Sequence, residues 1–456
     1  MNHRLVPDFP LSFAQARIWL LTQFTGPDPQ YNLPLVVRFP GPVDASTMHA
    51  ALRDVVTRHE ILRTSYADVG GRAQLAVWEP AALPDLLSVE TVSEARLPDR
   101  VREVSQYDFE LADQLPLHAW LLSSEDGAGT VLVLVIHHIA VDEASLPTLL
   151  DDLGAAYVAR RSGSAPAWQP LGLQYRDYAA RQRELLGDVR DPGSLAARQL
   201  DHWVRHLTGL PEETPLPMDR PRPAVPDTRG ATVVLPIPDE MRERITELAR
   251  TERVAPFTLL KAALVAFLAR RGAGDDLTVA GFVTGRFDGD LDDVVGFFVN
   301  TLVFRVDASG IPSFRELVRR THRVDIDAYS HQDVPFEQVV RALNPSRSSR
   351  RHPLAQVAIS YITTETYDLP GTDARVEVGQ NLRVKFDLQV NIVDPEGGRR
   401  ADRPAGMFVE WVYAMALFDE KTIAGMAHDF LDLLDLLLHD PDRQVGQDES
   451  VARTVR

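Results

Sequence analysis

The chain has 456 residues and no cysteine, and its 65 acidic residues outnumber its 48 basic ones, so the net charge is −17. This length predicts two or three domains, and 45% hydrophobic with 25% charged residues is typical of globular proteins. Intrinsic disorder and a disulfide scaffold are therefore excluded, as are thiolate nucleophiles, CxxC redox chemistry and cysteine zinc sites. Nucleic acid is disfavoured as a partner because the bulk positive charge that such binding needs is missing.

Neither a signal peptide nor a membrane span is predicted. The first 20 residues have no basic segment followed by an apolar one. The longest apolar stretch, residues 255–269, is shorter than the roughly 18–20 residues that a membrane helix needs, and it carries Lys261 at its centre. We therefore expect a buried helix there, and a cytoplasmic protein without a membrane partner.

In the first part of the chain, predicted helices and strands alternate. The predicted helices are residues 13–24, 45–59 and 146–159, and the predicted strands are residues 33–39, 61–66, 72–77 and 130–136. The last strand (TVLVLVI) is an unbroken apolar run, which is typical of a strand buried on both faces. It leads directly into a pair of histidines.

A proline-dense connector, residues 209–226, follows a predicted helix at residues 195–207 and can be neither helix nor central strand. Beyond it, we predict strands at residues 231–237, 277–283 and 297–306, helices at 240–251, 257–270 and 420–438, and a loop at 285–293. This order predicts two α/β lobes with a cleft between them. We place their boundary near residue 180, which gives a first lobe of residues 1–180 and a second of residues 181–456.

The strongest chemical signal is the segment HHIAVD, which contains His137, His138 and Asp142 at the exit of the buried strand. A histidine titrates near neutrality, so it can accept a proton from an attacking amine or alcohol. Asp142 could orient a ring nitrogen or hold the loop. On spacing alone, the two histidines could equally be a packed pair or half of a metal site, although no obvious third and fourth ligands accompany them.

The HHxxxD pattern between a strand and a helix resembles the signature of the condensation domains of nonribosomal peptide synthetases. Other segments similar to that family's motifs follow in the same order: residues 12–19 (SFAQARIW), 31–34 (YNLP), 58–64 (RHEILRT), 175–179 (YRDYA), 296–302 (GFFVNTL), 331–337 (HQDVPFE) and 351–356 (RHPLAQ). The similarity extends from residue 11 to about residue 440, which is nearly the whole chain.

The resemblance implies an α/β fold of two chloramphenicol-acetyltransferase-like lobes, forming a V-shaped pseudo-dimer with a tunnel at the lobe interface. It implies that His138 either deprotonates the attacking nucleophile or orients and stabilises it as the tetrahedral intermediate forms. His137 would support it with a ring turned into the fold, and Asp142 would pair with Arg286 rather than act as a base. These residues are the expected catalytic motif and its support.

Glu143 departs from the family's pattern HHxxxDG, whose last residue is glycine. Glycine permits close backbone approach and leaves space for the phosphopantetheine arm of the donor. Glutamate adds bulk and negative charge, so either the tunnel is reshaped for an unusual substrate or donor entry is impaired. In the second case, the chain would be a catalytically silent docking platform.

We expect most of the other motifs to be structural. Asp333 lies two residues before Pro335 at a predicted helix start, where its carboxylate could accept free backbone N–H groups. Asn300 is expected to hydrogen-bond a neighbouring loop, and Tyr178 and Trp203 to belong to the core or the lobe interface.

The expected function is the transfer of an acyl or aminoacyl group to a small-molecule amine or alcohol in natural-product biosynthesis. The donor would be carried on the phosphopantetheine of a partner carrier protein, and the chain would need no cofactor or metal of its own because the thioester is already activated. Adenylation signatures and a GGxS-type carrier serine are missing from the sequence, which predicts a free-standing condensation enzyme. The alternatives are an acyltransferase of the same superfamily that uses acyl-CoA or acts on a polyketide, and the silent platform.

Overall fold

A computed structural model describes residues 3–5, 10–125, 129–286, 288–310, 312–345, 350–363, 366–379, 383–395 and 406–446. The α-helices in these ranges are α1 (Phe13–Thr25), α2 (Ala45–Arg58), α3 (Leu97–Ser105), α4 (Leu146–Arg161), α5 (Tyr175–Leu186), α6 (Leu195–Leu207), α7 (Asp239–Glu252), α8 (Pro256–Arg270), α9 (Phe314–Tyr329), α10 (Phe336–Leu343) and α11 (Glu420–His439). The strands are β1 (His3–Leu5), β2 (Asn32–Phe39), β3 (Thr64–Asp68), β4 (Ala73–Trp78), β5 (Leu87–Val92), β6 (Leu117–Ser124), β7 (Thr130–His137), β8 (Gly230–Pro236), β9 (Asp276–Val283), β10 (Asn300–Asp307), β11 (Val357–Ile362), β12 (Thr366–Asp368), β13 (Arg375–Val378), β14 (Leu388–Val393) and β15 (Phe408–Ala414).

The first large sheet has six strands in the order β12–β13–β2–β7–β6–β5. β7 lies between β2 and β6, runs antiparallel to both, and is buried along its whole length. The double-sided burial predicted from its apolar run is therefore confirmed. His137 is its last residue and pairs with Asn32 of β2, so the histidine motif begins where the strand ends.

The second large sheet has the order β10–β9–β11–β14–β15–β8, and a small sheet, β1–β4–β3, accompanies the first. Helix α8 packs in the core of the second sheet, and each residue from Thr258 to Leu268 is buried. Lys261 in its centre forms an ion pair with Asp325 of α9, which confirms the buried helix expected there. In the part of the chain that the structure describes, no helix is long and apolar enough to cross a membrane.

Two six-stranded sheets with helices packed on them confirm the predicted two-lobe α/β class. The division at residue 180 stays a prediction. Strands β12 and β13 follow that residue in the chain, yet β13 pairs antiparallel with β2 of the first sheet, with Val376 opposite Val37. Both valines are fully buried, so this late segment belongs to the first sheet's core.

Two predicted strands are shorter than expected. Residues 61–66 were predicted as strand throughout, but Glu60–Arg63 forms a 3-10 turn closed by a 3.4 Å ion pair between those two side chains, and β3 begins only afterwards. The strand predicted from residue 297 begins at Asn300. Residues 297–299 are loop, and the Phe298 N–H donates to the Asp142 side chain rather than to a neighbouring strand, as described below.

The prediction that Asp333 caps a helix is wrong. Helix α10 begins at Phe336 with Pro335 as its N-cap residue, and no side chain of the cap accepts a hydrogen bond. Asp333 instead accepts a hydrogen bond from Gln199 Nε2 at 2.6 Å. The Phe336 N–H donates to Asn300 Oδ1 at 3.1 Å, so the first residue of β10 accepts the free backbone N–H at the start of α10. Asn300 Nδ2 also donates to two carbonyls of the preceding loop, which confirms its predicted role.

Candidate active site

His138 stands immediately after β7, and its backbone N–H donates to the Tyr31 carbonyl at 2.7 Å. Its ring Nδ1 lies 3.0 Å from the Val141 carbonyl oxygen. Because a carbonyl can only accept, Nδ1 carries the proton and Nε2 keeps its lone pair. Within the described residues Nε2 forms no hydrogen bond, so it is available to a substrate. The half-buried ring also packs beside Phe297, with the two ring centroids 5.7 Å apart.

The protonation state of His138 follows from its surroundings. Burial lowers the pKa of His138 below the ordinary 6.5. The negative charge of Glu143 acts against this shift, Lys385 adds to it, and the hydrogen bond to Val141 opposes it. The net result is a lowered pKa, so the imidazole is neutral at pH 7 and can accept a proton.

His137 is an interior residue that is only 3% exposed. Its Nδ1 accepts a hydrogen bond from the Ile139 N–H at 3.1 Å, and its ring packs near those of Tyr31 and Phe109. Burial, with a smaller effect of the neighbouring His138, lowers the pKa of His137 to about 3. A neutral, buried ring of this kind shapes the turn that presents His138.

Asp142 is fully buried, and hydrogen bonds engage both of its carboxylate oxygens. Oδ1 accepts from the N–H of Ser145 at 3.0 Å and from its hydroxyl at 2.7 Å, and Oδ2 accepts from the Phe298 N–H at 2.9 Å. Arg286 Nη2 lies 3.6 Å from Oδ1 and donates to the Ser145 hydroxyl at 2.7 Å. Asp142 therefore links the turn after β7 to the connection between β9 and β10, and it makes no described hydrogen bond to His138.

Two glycines allow this loop to approach so closely. Gly285 has φ +67°, a left-handed conformation that side chains disfavour. A Cβ atom on Gly296 would lie 1.9 Å from a ring carbon of Tyr175. The Gly296 N–H donates to the Ser145 hydroxyl at 3.1 Å, so the absence of a side chain lets the backbone itself join the Asp142 network.

Glu143 and Lys385 place opposite charges near His138. Glu143 is exposed and begins a 3-10 turn, Glu143–Ser145. Lys385 Nζ lies 4.4 Å from the centroid of the Tyr31 ring. Lys385 is exposed at the surface, yet the desolvation of its amine by the surrounding protein lowers its pKa to about 8. The positive charge of Arg17 adds to this lowering, and the negative charge of Glu143 opposes it.

Lys385 is missing from the residues that the sequence motifs identified. The one signal that could have singled it out is the scarcity of lysine, since the chain has only Lys261, Lys385 and Lys421. One of these is buried in an ion pair with Asp325, which leaves two for other roles. Nothing in the local pattern around residue 385 indicates that it lies near a motif almost 250 residues earlier.

A cavity of about 310 Å³ adjoins the same region. Its wall comes from α1, α5, the connection between β9 and β10 and the start of α10, and it includes Phe13, Arg17, Tyr178, Leu186, Phe297 and Asn300. Phe297 is therefore shared between the cavity wall and the contact with His138. The predominantly apolar lining suits an apolar group of a substrate, and Tyr178, expected in the core or the lobe interface, takes part in this wall.

The chain belongs to the condensation domain family, because the model of the condensation domain matches residues 7–454. It is 41% identical to a dimodular nonribosomal peptide synthase of Bacillus subtilis over 440 residues, which cover 96% of this chain and 18% of that protein. It is 36% identical to an isonitrile lipopeptide synthase of Mycobacterium tuberculosis, over 98% of this chain and 18% of that protein. The chain thus spans less than a fifth of the length of either relative.

Among solved structures, the X-domain from teicoplanin biosynthesis superimposes with a TM-score of 0.88 at 33% identity, covering 96% of this chain and 97% of that one. The same X-domain has also been solved in a complex with OxyB. These likenesses confirm the predicted two-lobe condensation fold.

Proposed function

We propose that this chain joins an acyl or aminoacyl group, carried as a thioester on a carrier protein's phosphopantetheine, to an amine or alcohol. The observation that supports this most directly is the free Nε2 lone pair of a neutral His138 at the exit of a buried strand. A rigid strand end holds the His138 nitrogen in one place, and general base catalysis needs a base at a fixed position.

In the proposed reaction, the acceptor nitrogen or oxygen attacks the thioester carbonyl carbon while its proton moves to His138 Nε2. Collapse of the tetrahedral intermediate breaks the carbon–sulfur bond, and the proton passes from His138 to the departing thiolate. The new bond is an amide or an ester, and the free phosphopantetheine thiol is the other product. His138 is charged only in between, when its Nδ1–H bond to the Val141 carbonyl stabilises the imidazolium.

The other motif residues act as positioning residues in this proposal. His137 supports the turn from the interior, while Asp142 and Arg286 hold the loop that carries Phe297 against the His138 ring. The cavity beyond Phe297 would receive an apolar part of a substrate. The free-standing organisation and the delivery of the donor in trans stay predictions, since the matching relatives are much longer chains.

The test is product formation from a panel of acyl- and aminoacyl-carrier-protein thioesters with amine and alcohol acceptors, followed by mass spectrometry. We expect His138→Ala to lower the rate by about 10²–10⁴-fold, which is the usual contribution of general acid–base catalysis. His428→Ala, which changes an exposed histidine of α11, is the matched control and should keep the wild-type rate. A folded His138→Ala variant with a near-wild-type rate would refute the assignment.

The same assay separates the acyl-CoA alternative. Full activity with acyl-CoA and no gain from a carrier protein would replace the proposed donor with a diffusible one. Inhibition of that activity by a loaded carrier protein would instead favour the carrier as the natural donor.

A second candidate is a docking platform without turnover. Glu143 in place of the motif glycine favours it, as does the similarity to an X-domain solved with a partner protein. If the chain is an active acyltransferase, we expect Glu143→Gly to change turnover by less than about tenfold, or about 1.4 kcal/mol of activation free energy. A wild-type chain that binds a partner protein tightly but makes no product with any tested donor would support the platform instead.

A further inference from the structure

We infer that His202, Asp327 and His331 form a binding site for a divalent transition-metal ion such as Zn²⁺. His202 lies on α6, whereas Asp327 lies on α9 and His331 follows its end. One ligand atom from each residue lies within 4.8 Å of the others. His202 Nε2 is 3.3 Å from Asp327 Oδ2.

The donor set suits this class of ion. Imidazole nitrogens and a carboxylate are ordinary ligands of Zn²⁺, Co²⁺ and Ni²⁺. His331 Nδ1 also lies 2.7 Å from the Asp327 backbone carbonyl, so Nδ1 carries the proton and Nε2 keeps its lone pair. Metal-binding histidines usually donate their other ring N–H to a carboxylate, a backbone carbonyl or water, and this contact is compatible with that arrangement.

A buried ring nitrogen also supports the site. His202 Nε2 is buried and forms no hydrogen bond within the described residues, although Asp327 Oδ2 lies 3.3 Å away. A buried polar atom without a hydrogen bond carries a desolvation cost, which a metal ion would reduce. The nearby carboxylate of Asp327 supplies the negative charge that offsets the charge of the ion.

Coordination requires a small rearrangement of the rings. The rings of His202 and His331 stack with their centroids 3.6 Å apart and their planes inclined by 3°. Because each lone pair lies in the plane of its ring, at least one ring must tilt out of this stack before both nitrogens can point at one ion. Water would complete a tetrahedral shell in a site with three protein ligands.

The place of the site in the fold indicates a structural role. The Trp203 indole N–H, next to His202 on α6, donates to the His331 carbonyl at 2.8 Å. Gln332 and Asp333, which follow His331, line the 310 Å³ cavity. A metal ion held between α6 and the end of α9 would therefore stabilise one wall of this cavity without taking part in the acyl transfer.

The experiment titrates the metal-free full chain with Co²⁺ and measures the visible ligand-field absorption of the bound ion. Zn²⁺ is then added to compete for the same site. We expect one equivalent of Co²⁺ to bind the wild type. His202→Ala, Asp327→Asn and His331→Ala should each weaken binding by at least about tenfold, and His428→Ala should not. Zn²⁺ should raise the melting temperature of the wild type but not of Asp327→Asn.

Circular dichroism of the metal-free variants separates loss of the site from loss of the fold. Folded variants that bind Co²⁺ as tightly as the wild type would overturn the proposal, as would a wild type without ligand-field bands. Because the readout is metal binding, either result is independent of whether acyl transfer is observed.

Discussion

At the scale of single residues, two opposite charges from different parts of the chain act on the pKa of His138. Glu143 follows the motif directly, whereas Lys385 comes from the segment before β14 and lies over the Tyr31 ring. Glu143 raises the pKa of His138 and Lys385 lowers it, while burial remains the largest effect. The glutamate in place of the motif glycine therefore affects the pKa of the proposed base.

This arrangement predicts a pH dependence with a defined sign. Only neutral His138 accepts a proton, so kcat/KM should fall as the pH drops through its pKa, which lies below 6.5. Glu143→Gln removes a negative charge, so the pKa should fall further and the acid limb should move to lower pH. Lys385→Met removes a positive charge, so the limb should move to higher pH.

Nuclear magnetic resonance titration of the His138 ring protons measures the same shifts without any substrate. Opposite displacements in the two variants are the expected result. Displacements in the same direction would show that the substitutions act by changing solvent access rather than by charge.

At the scale of elements, the turn that carries His138 is held by buried hydrogen bonds from Asp142 to the connection between β9 and β10. The sequence placed His137, His138 and Asp142 after a buried strand because a continuous apolar run and the motif are both local patterns. It predicted residues 297–299 as strand for the same reason, since they are apolar. Phe298 instead donates its N–H to Asp142, and this long-range partner removes the segment from the sheet.

Asp142→Ala should lower the free energy of unfolding by about 3–5 kcal/mol, measured by urea denaturation. The substitution leaves the Arg286 guanidinium, whose side chain is 8% exposed, and the Phe298 N–H without their carboxylate partner. The double variant Asp142→Leu with Arg286→Met should recover part of the loss, because no buried charge then lacks a partner. An Asp142→Ala chain with wild-type stability but no activity would assign this carboxylate to the chemistry instead.

At the scale of the whole molecule, the first large sheet contains strands from both sides of residue 180. β12 and β13 pair at the edge of the first sheet beyond β2, and residues from the loop before β10 join the same core. The candidate cavity likewise combines α1 and α5 with residues 332–337. The parts before and after residue 180 are thus interdependent in structure.

We therefore expect a fragment of residues 1–210 not to fold alone. It lacks β12 and β13, so β2 would become an exposed edge strand with unpaired backbone groups. Val36 and Val37, which are buried in the whole chain, lie on this strand. Amide dispersion in a ¹H–¹⁵N spectrum is the measurement, and co-expression with residues 211–456 should restore it. A well-dispersed spectrum from the fragment alone would contradict this.

What the sequence by itself determined is the set of features written in contiguous residues. These are the buried strand β7, the buried helix around Lys261, the histidine pair with Asp142, and the family to which their order belongs. Periodicity and motif spacing carry such features because neighbouring residues share one element.

Only the tertiary structure decided which distant residues meet. It places Lys385 near His138, commits Asp142 to the Phe298 backbone, and brings His202 beside His331. It also adds β13 to the first sheet. Contacts of this kind depend on how the sheets and helices pack. The free energy of that packing comes from residues hundreds of positions apart, so a local sequence pattern does not predict these contacts.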